Sequence, residues 1–401
     1  MHGYIYIIDK RENKMARDRK KRKKKKGVKK LVLLAMEILL LIVVFLLVRV
    51  WLMFSQMLST DEYTDSELGI VTSGTEELGS IFDGEYTNIA LFGLDNRSSS
   101  SYSSGNSDSI MVVSINNTTK EVKIVSVYRD TYLLVADDKY RKANAAYNLG
   151  GVSGAIKMLN RNLDLTGENA IRNYVCVDWN ALVETIDALG GVEVEITDQE
   201  VKWINYYVDE TAKGANTTSE YVSESGLVTL NGVQATSYAR IRYTSGNDYK
   251  RASRQRIIIQ AMLEKAQEAD FTTLAKICTS VVDDVETSLS LTQILTLAKD
   301  LNSYELVSTT GFPFDLITMD LSITGDTVIP VDLYSNVQQL HEYLFDETDY
   351  TPTQTLLDIN NEIINLTGVT TENTTPIDLS ELNETVGASG TDDLVDEDTE
   401  E

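Results

Sequence analysis

The chain reads as an α/β protein, a three-layer α-β-α sandwich with a mixed central sheet, preceded by one transmembrane helix. Three observations carry this reading. An apolar run of 24 residues occupies 31–54. From 87 to 347, segments with strand-like alternation are interleaved with segments of helical spacing. The net charge of −25 is also divided, because residues 1–30 hold 14 Lys and Arg against 3 acids, so the excess acid lies in the rest of the chain.

Residues 1–30 form a basic tail. The stretch 17–30 holds 11 Lys and Arg beside the apolar run, which places the N-terminus in the cytoplasm and everything after 54 outside. This orientation and contact with anionic membrane lipid account for the basic block, so no nucleic-acid partner is expected. The run 31–54 would extend roughly 36 Å as a helix, enough to cross a bilayer core. Its polar residues, Glu37 and Arg49, avoid the centre, and Arg49 can snorkel to the interface. Trp51, Leu52, Met53 and Phe54 follow where a cleaved leader would carry small residues, so the segment reads as an uncleaved, single-pass anchor in the cell membrane. Residues 55–86 are polar and acidic and read as an extracytoplasmic stalk. The folded domain spans 87–347. Residues 348–401 read as an acidic, disordered tail with one short helix near 356–364.

Within the domain, strands are expected at 88–94, 109–116 and 122–128, with Asn116-Asn117-Thr118-Thr119 as a hairpin turn between the last two. Further strands fall at 173–177 and 192–196. Helical spacing marks 144–163, 179–189 (closed by Gly190-Gly191), 250–268, 272–285, 291–301 and 333–345. The apolar residues of a helix such as 155–163 either line a lipid pocket or fill the core.

Composition excludes several chemistries. Cys176 and Cys278 are the only thiols, and His2 and His341 the only imidazoles. A Cys/His zinc site needs more ligands, and a serine or cysteine nucleophile needs a placed imidazole. His341 lies in a helical stretch and is expected to be a partly exposed helical residue. Both cysteines sit in apolar surroundings and are expected to be buried and unpaired.

One region concentrates cations. Of the 22 Lys and Arg outside the basic tail, six fall in 238–256, where Asp248 is the only acid. Such clustering repels itself unless an anion relieves it. If Arg240-Ile241-Arg242 is a strand, both guanidiniums leave one face. On a following helix, Arg251, Arg254 and Gln255 share a face. Planar guanidinium forks of this kind suit phosphate or pyrophosphate, while the plainer alternative is a solvated face paired with the surplus acids. Asp95 ends the first strand and Asp108 opens the second. Should the strands be neighbours, the two carboxylates meet at one edge and can hold a hard divalent ion, although an Asp at a strand end is often only a turn residue. Asp248 could equally cap the helix after it.

These segments resemble the LytR-CpsA-Psr family. The resemblance rests on Asn88-Ile-Ala-Leu-Phe-Gly-Leu-Asp-Asn-Arg97, Ser107-Asp-Ser-Ile-Met-Val-Val-Ser114, Val125-Ser-Val-Tyr-Arg-Asp-Thr131 and Lys142-Ala-Asn-Ala-Ala-Tyr147, and in the second half on Leu230-Asn-Gly-Val-Gln-Ala235, Tyr238-Ala-Arg-Ile-Arg-Tyr243 and Asp248-Tyr-Lys-Arg-Ala-Ser-Arg-Gln255. It covers roughly 86–347. The resemblance implies a membrane-anchored, magnesium-dependent (or manganese-dependent) phosphotransferase. Its donor would be a polyprenyl pyrophosphate-linked glycan, such as a teichoic acid or capsular polymer, and its acceptor peptidoglycan. By motif, Asp95 and Asp108 would be the metal ligands. Arg129, Arg240, Arg242 and Arg251 would bind the pyrophosphate, and Lys142, Asp248 and Gln255 would complete the site. Arg97 is a weaker candidate, and Asp130 would either orient Arg129 or touch substrate. Two departures stand out: Asn106 where members commonly carry Arg, and Tyr128 where Pro commonly precedes the Arg-Asp pair.

In the implied reaction, a wall-sugar hydroxyl attacks the phosphorus next to the glycan and polyprenyl monophosphate leaves, with Asp248 or a phosphate oxygen taking the proton. A polyprenyl-pyrophosphoryl-glycan hydrolase and a non-catalytic envelope regulator that binds lipid-linked precursors are the rival readings.

Overall fold

The computed structural model describes residues 63–70, 84–94, 105–242, 247–280 and 285–379. The expected anchor at 31–54 lies outside them, and no helix of the described residues is long and apolar enough to cross a membrane.

In chain order, three strands come first: β1 (Tyr86–Leu94), β2 (Ser107–Asn116) and β3 (Glu121–Val127). A small ladder of β4 (Tyr132–Ala136) and β5 (Lys139–Lys142) leads into helix α1 (Ala145–Asn162), which kinks at Gly150 and Gly151. β6 (Asn173–Val177), α2 (Trp179–Leu189), β7 (Val192–Ile196), α3 (Asp198–Gly214), β8 (Gly226–Leu230) and α4 (Gly232–Ala239) follow. Then come α5 (Asn247–Glu268), α6 (Phe271–Ser280), β9 (Val285–Thr287) and α7 (Leu291–Lys299). β10 (Glu305–Phe312), β11 (Leu316–Leu321), β12 (Gly325–Pro330), α8 (Leu333–Phe345) and α9 (Gln354–Thr367) complete the series.

The central sheet has six strands in the order β10-β3-β2-β1-β6-β9. It is mixed, as expected: β1 runs parallel to β6 and β10 parallel to β3, while the other pairs are antiparallel. Alternation along the strands divides their side chains between two faces. Ala90, Phe92, Ile110, Val112 and Val125 pack with Ile156 and Leu159 of α1, Val337 and Leu340 of α8, and Leu356 and Ile359 of α9. Ile89, Met111 and Ile124 turn the other way, toward Ile259 of α5 and Ile294 and Leu297 of α7. A separate core joins Ile186 of α2, Val194 of β7, Val208 of α3, Leu230 of β8 and Ile258 of α5. Strand β7 was expected from its alternation, but it pairs with β8 in a two-stranded sheet outside the central one.

Four expectations need correction. Residues 63–70, read as stalk, dock on the domain: Leu68 and Ile70 join the core, Asn160 donates to the Leu68 carbonyl at 2.9 Å, and Arg172 pairs with Asp65. Residues 350–379, read as the start of a disordered tail, are also packed. Leu356, Ile359 and Ile363 of α9 are spaced on one face and bury against the core, and the Ile377 amide donates to the Leu316 carbonyl. Residues 380–401 lie outside the described ones. The helix expected to reach 285 does not, because Val285 opens strand β9; α6 is described over Phe271–Ser280. His341 is buried, not partly exposed: its Nδ1 faces Glu347 and its Nε2 the Leu163 carbonyl, both at 3.1 Å, which makes it a brace between α8 and the end of α1. Both cysteines are free. Cys176 is buried and desolvation pushes its thiol up to about 12, whereas Cys278 is only half-buried.

Candidate active site

The antiparallel register sets the first contact. Met111 of β2 lies opposite Ser126 of β3, and counting on from that pair brings Asp108 level with Arg129. Arg129 Nη1 donates to Asp108 Oδ1 at 2.9 Å. Arg242, on the irregular segment after α4, reaches the other oxygen of Asp108 at 3.3 Å. The first turn of α5 closes the group from the opposite side. Asp248 accepts from Arg129 Nη2 at 3.4 Å, and Arg251 Nη2 lies 3.2 Å from Asp248 Oδ1 and 3.2 Å from the Asp108 carbonyl. Lys142, at the end of β5, pairs with Asp130 at 3.1 Å, and Asp130 flanks Arg129 Nε at 3.6 Å.

Asp108, Asp130, Asp248, Arg129, Lys142, Arg242 and Arg251 are thereby brought together. Asp248 is not a cap, since α5 begins one residue earlier; it lies in the first turn, where a carboxylate favours the positive end of the helix. Leu94 pairs with Ser107, the residue before Asp108; Asp95 and Arg97 lie outside the described residues. Gln255 is half-buried one turn after Arg251. Asn106 is exposed just before β2.

Two arginines behave differently from expectation. Arg240-Ile241-Arg242 is not a strand: Asn231 and Gln234 form a capping box that starts α4, and Arg240 ends that helix. Arg240 and Arg242 therefore do not fan out from one strand face. Arg240 pairs with Glu210 at 2.9 Å, donates to the Thr211 hydroxyl at 2.7 Å and stacks on Trp179. Arg254 is buried and bonded to Glu200 at 2.8 Å, with Nη1 directed to the Ile241 carbonyl at 3.5 Å, so it braces the segment that carries Arg242.

The electrostatics follow from burial and crowding. Burial raises Asp248, but the neighbouring Asp130 and the guanidiniums of Arg251, Arg129 and Arg242 outweigh it and hold its carboxyl at about 2. Asp130 moves the other way, raised by burial and by Asp248. Burial pulls the Arg251 guanidinium down to about 10. Arg129 Nε, with Asp130 no nearer than 3.6 Å, and Arg251 Nε are buried donors without hydrogen-bond partners. Buried donors of this kind are normally satisfied, so the cluster is built to receive further acceptor atoms. A hard divalent ion also fits the donor chemistry. Each Asp108 oxygen has one guanidinium partner and keeps a free lone pair, although no group of three or more Asp, Glu, His or Cys is gathered among the described residues.

Tyr128 is a contributor that sequence reasoning singled out only as a departure. It is buried, its ring meets Tyr249 edge-on at 4.8 Å, and its oxygen lies 2.0 Å from where a Cβ on Gly311 would stand. It wedges β3, β10 and the first turn of α5 together immediately beside Arg129. Farther along α5, a small hollow of about 200 Å³ lies between α5, α6 and α7, lined by Ala266, Phe271, Leu274 and Ala298 together with Lys299 and Asn302. Its Ala266 is roughly 22 Å from Arg251 at helical rise.

Residues 60–342 match the LytR_cpsA_psr family. The chain belongs to the LytR-CpsA-Psr family. Among its LytR-CpsA-Psr relatives, an Enterococcus faecalis protein named polyisoprenyl-teichoic acid–peptidoglycan teichoic acid transferase TagU is 31% identical over 218 residues, which is 54% of this chain and 65% of the relative. A Bacillus subtilis transferase of the same description, TagV, is 28% identical over 62% of this chain and 61% of its own length. The chain therefore spans just under two thirds of these relatives. The Streptococcus mutans biofilm regulatory protein A is 31% identical over 53% of this chain and 52% of its own. In fold, this LytR-CpsA-Psr domain resembles TagT bound to LIIa-WTA, with a TM-score of 0.53 and 20% identity over 68% of this chain and 94% of that one. A Streptococcus agalactiae protein gives 0.55 and 24% over 69% of this chain and 92% of that one.

Proposed function

We propose that this protein is a membrane-anchored phosphotransferase. Its α-β-α domain, held outside the cell by a transmembrane helix at 31–54, moves a glycan phosphate polymer from a polyprenyl pyrophosphate carrier to peptidoglycan. The observation that carries the reading is the shared cluster of Arg129, Arg242, Arg251 and Lys142 over three carboxylates, with guanidinium nitrogens buried and unsatisfied. A pyrophosphate supplies the missing acceptors. The names of the relatives, polyisoprenyl-linked teichoic acid transferases to peptidoglycan, support the same donor and acceptor classes.

Arg129, Arg242 and Arg251 hold the pyrophosphate and oppose the charge that develops on its oxygens. Asp95 and Asp108 would hold magnesium or manganese, which supplies charge neutralisation to the phosphates when bound. An acceptor hydroxyl forms a bond to the phosphorus next to the glycan, the bridging P–O bond breaks, and polyprenyl monophosphate departs with the electron pair. Held at about 2, Asp248 is a poor proton acceptor; its place is to order the guanidiniums. Asp130, raised by burial, or a phosphate oxygen receives the acceptor proton.

The test gives the full-length chain a polyprenyl-pyrophosphoryl glycan, magnesium and peptidoglycan fragments. Glycan joined to the fragments by a phosphodiester, and lost in Arg129→Ala and Asp95→Ala, is the expected result. Release of free glycan phosphate alone would instead identify a hydrolase.

A further inference from the structure

Helix α3 carries an aromatic strip that the pyrophosphate site does not use. Tyr206 is 64% exposed and meets Trp203 edge-on at 5.8 Å and Tyr207 edge-on at 5.2 Å. Tyr207 passes the strip to Arg240, whose guanidinium lies 4.8 Å from the Tyr207 ring and 3.7 Å from that of Trp179. Beside it, Tyr221 is 58% exposed and donates its hydroxyl to Asp209 at 2.9 Å. Asp209 and Glu210 are exposed on the next turn of the same helix. Trp203 and Tyr207 are anchored on the second core, so the strip is held rigidly. Tyr206 and Tyr221 are the exposed rings here, Trp203 and Trp179 are half-buried and Tyr207 is buried, and exposed aromatic rings backed by others mark an interaction surface more often than a packing need.

The chemistry of the strip selects its partner. The apolar C–H faces of a sugar ring stack on the negative faces of aromatic rings, while neighbouring carboxylates accept from ring hydroxyls. Residues 198–224 carry six acids against two lysines, a field that repels an anionic glycan phosphate and tolerates a glycan backbone. A polymeric acceptor must also lie across an open face, and this one runs directly into Arg240.

We propose that the face of α3 at Tyr206, with Trp203 and Tyr221 beside it and backed by Tyr207, Arg240 and Trp179, is the docking surface for the peptidoglycan glycan strand that accepts the transferred group. This deepens the transferase reading and rests on it. The strand lies along α3 and presents one of its hydroxyls toward the arginine cluster.

Trp51, Trp179 and Trp203 are the only tryptophans, and two of them belong to the strip, so intrinsic fluorescence reports the site directly. The full-length chain is titrated with soluble peptidoglycan glycan fragments, without donor or metal. A saturable change in emission is expected, with the apparent Kd raised about tenfold in Tyr206→Ala and preserved in Tyr206→Phe. In the transfer assay, Tyr206→Ala raises KM for the acceptor and leaves kcat and the donor KM near their wild-type values. The exposure of Tyr206 leaves the fold intact in both variants, and an unchanged Tm verifies it. Equal binding by wild type and Tyr206→Ala, or tighter binding of a soluble glycan phosphate than of the fragments, overturns the inference. Tyr206-dependent binding by a chain that transfers nothing supports the docking surface and rejects the transferase reading alone. Transfer by Tyr206→Ala at the wild-type acceptor KM does the reverse.

Discussion

Two sets of arginines flank the start of α5, and they are satisfied in opposite ways. Arg254 and Arg240 each have a dedicated acid, Glu200 at 2.8 Å and Glu210 at 2.9 Å, with further bonds to the Ile241 carbonyl and the Thr211 hydroxyl. Arg129, Arg242 and Arg251 share Asp108 and Asp248 among them, and Arg129 and Arg251 each leave Nε buried without a hydrogen-bond partner. The saturated set fastens α3 to the segment that carries Arg242. The undersatisfied set is the one that the proposed pyrophosphate would complete, the receptor of the proposed function. Arginine clusters are thus sorted by how many partners each guanidinium already has, not by how densely they occur.

The contrast is strongest where a pair is buried on both sides. Arg254→Ala leaves Glu200 with only its cap bonds to Thr197 and should cost about 1.5–3 kcal/mol of stability, read from the denaturation midpoint, while transfer per folded molecule falls far less than in a receptor variant. A loss of transfer without a loss of stability in Arg254→Ala would erase the distinction. Arg129→Ala should invert the pattern, with transfer down by about 10²–10³-fold and a midpoint near that of wild type. Gly311→Ala sharpens the comparison from outside the charges. The new methyl meets the Tyr128 oxygen beside Arg129, at a cost of about 1–3 kcal/mol, and Tyr128→Ala in the same chain should recover part of it, a coupling measured by a double-mutant cycle. The smallest effect concerns pH. A depressed carboxyl contributes stability that is complete above its unfolded value, about pH 4, and is lost as pH falls through its folded value, about 2 for Asp248. Acid unfolding of Asp248→Asn should therefore be shallower than that of wild type between about pH 4 and pH 2.

Much of the receptor was legible before any coordinates, because its members lie in short motifs at strand ends and one helix turn. β1, β2, β3 and β6 declare themselves by alternation, and α2 is bounded by Asp178 at one end and Gly190 at the other. The saturated arginines were not legible as such. Glu200 and Glu210 are 54 and 30 residues from their partners, and nothing local announces a pairing that only the packing of α3 against α4 and α5 creates. Arg-Ile-Arg imitates a strand because its period is two, yet the capping box at Asn231 and Gln234 commits the preceding residues to a helix. Helix α3 itself was missed even though Thr197 and Glu200 form a capping box, since its polar residues dilute the apolar spacing. β10 to β12 escaped notice because Thr, Ser, Gly and Asp interrupt their alternation.

The docking of α9 also sets a clock. Asp164, just after α1, accepts from the Tyr350 hydroxyl and from the Thr353 amide, and the latter contact spans 189 residues. A ribosome adding about 5–20 residues per second needs roughly 10–40 s to deliver that second half. Throughout this interval the α1 side of the sheet lacks its final cover. A nascent chain of this kind stays vulnerable to proteases and to sticking until its closing helix has been synthesised.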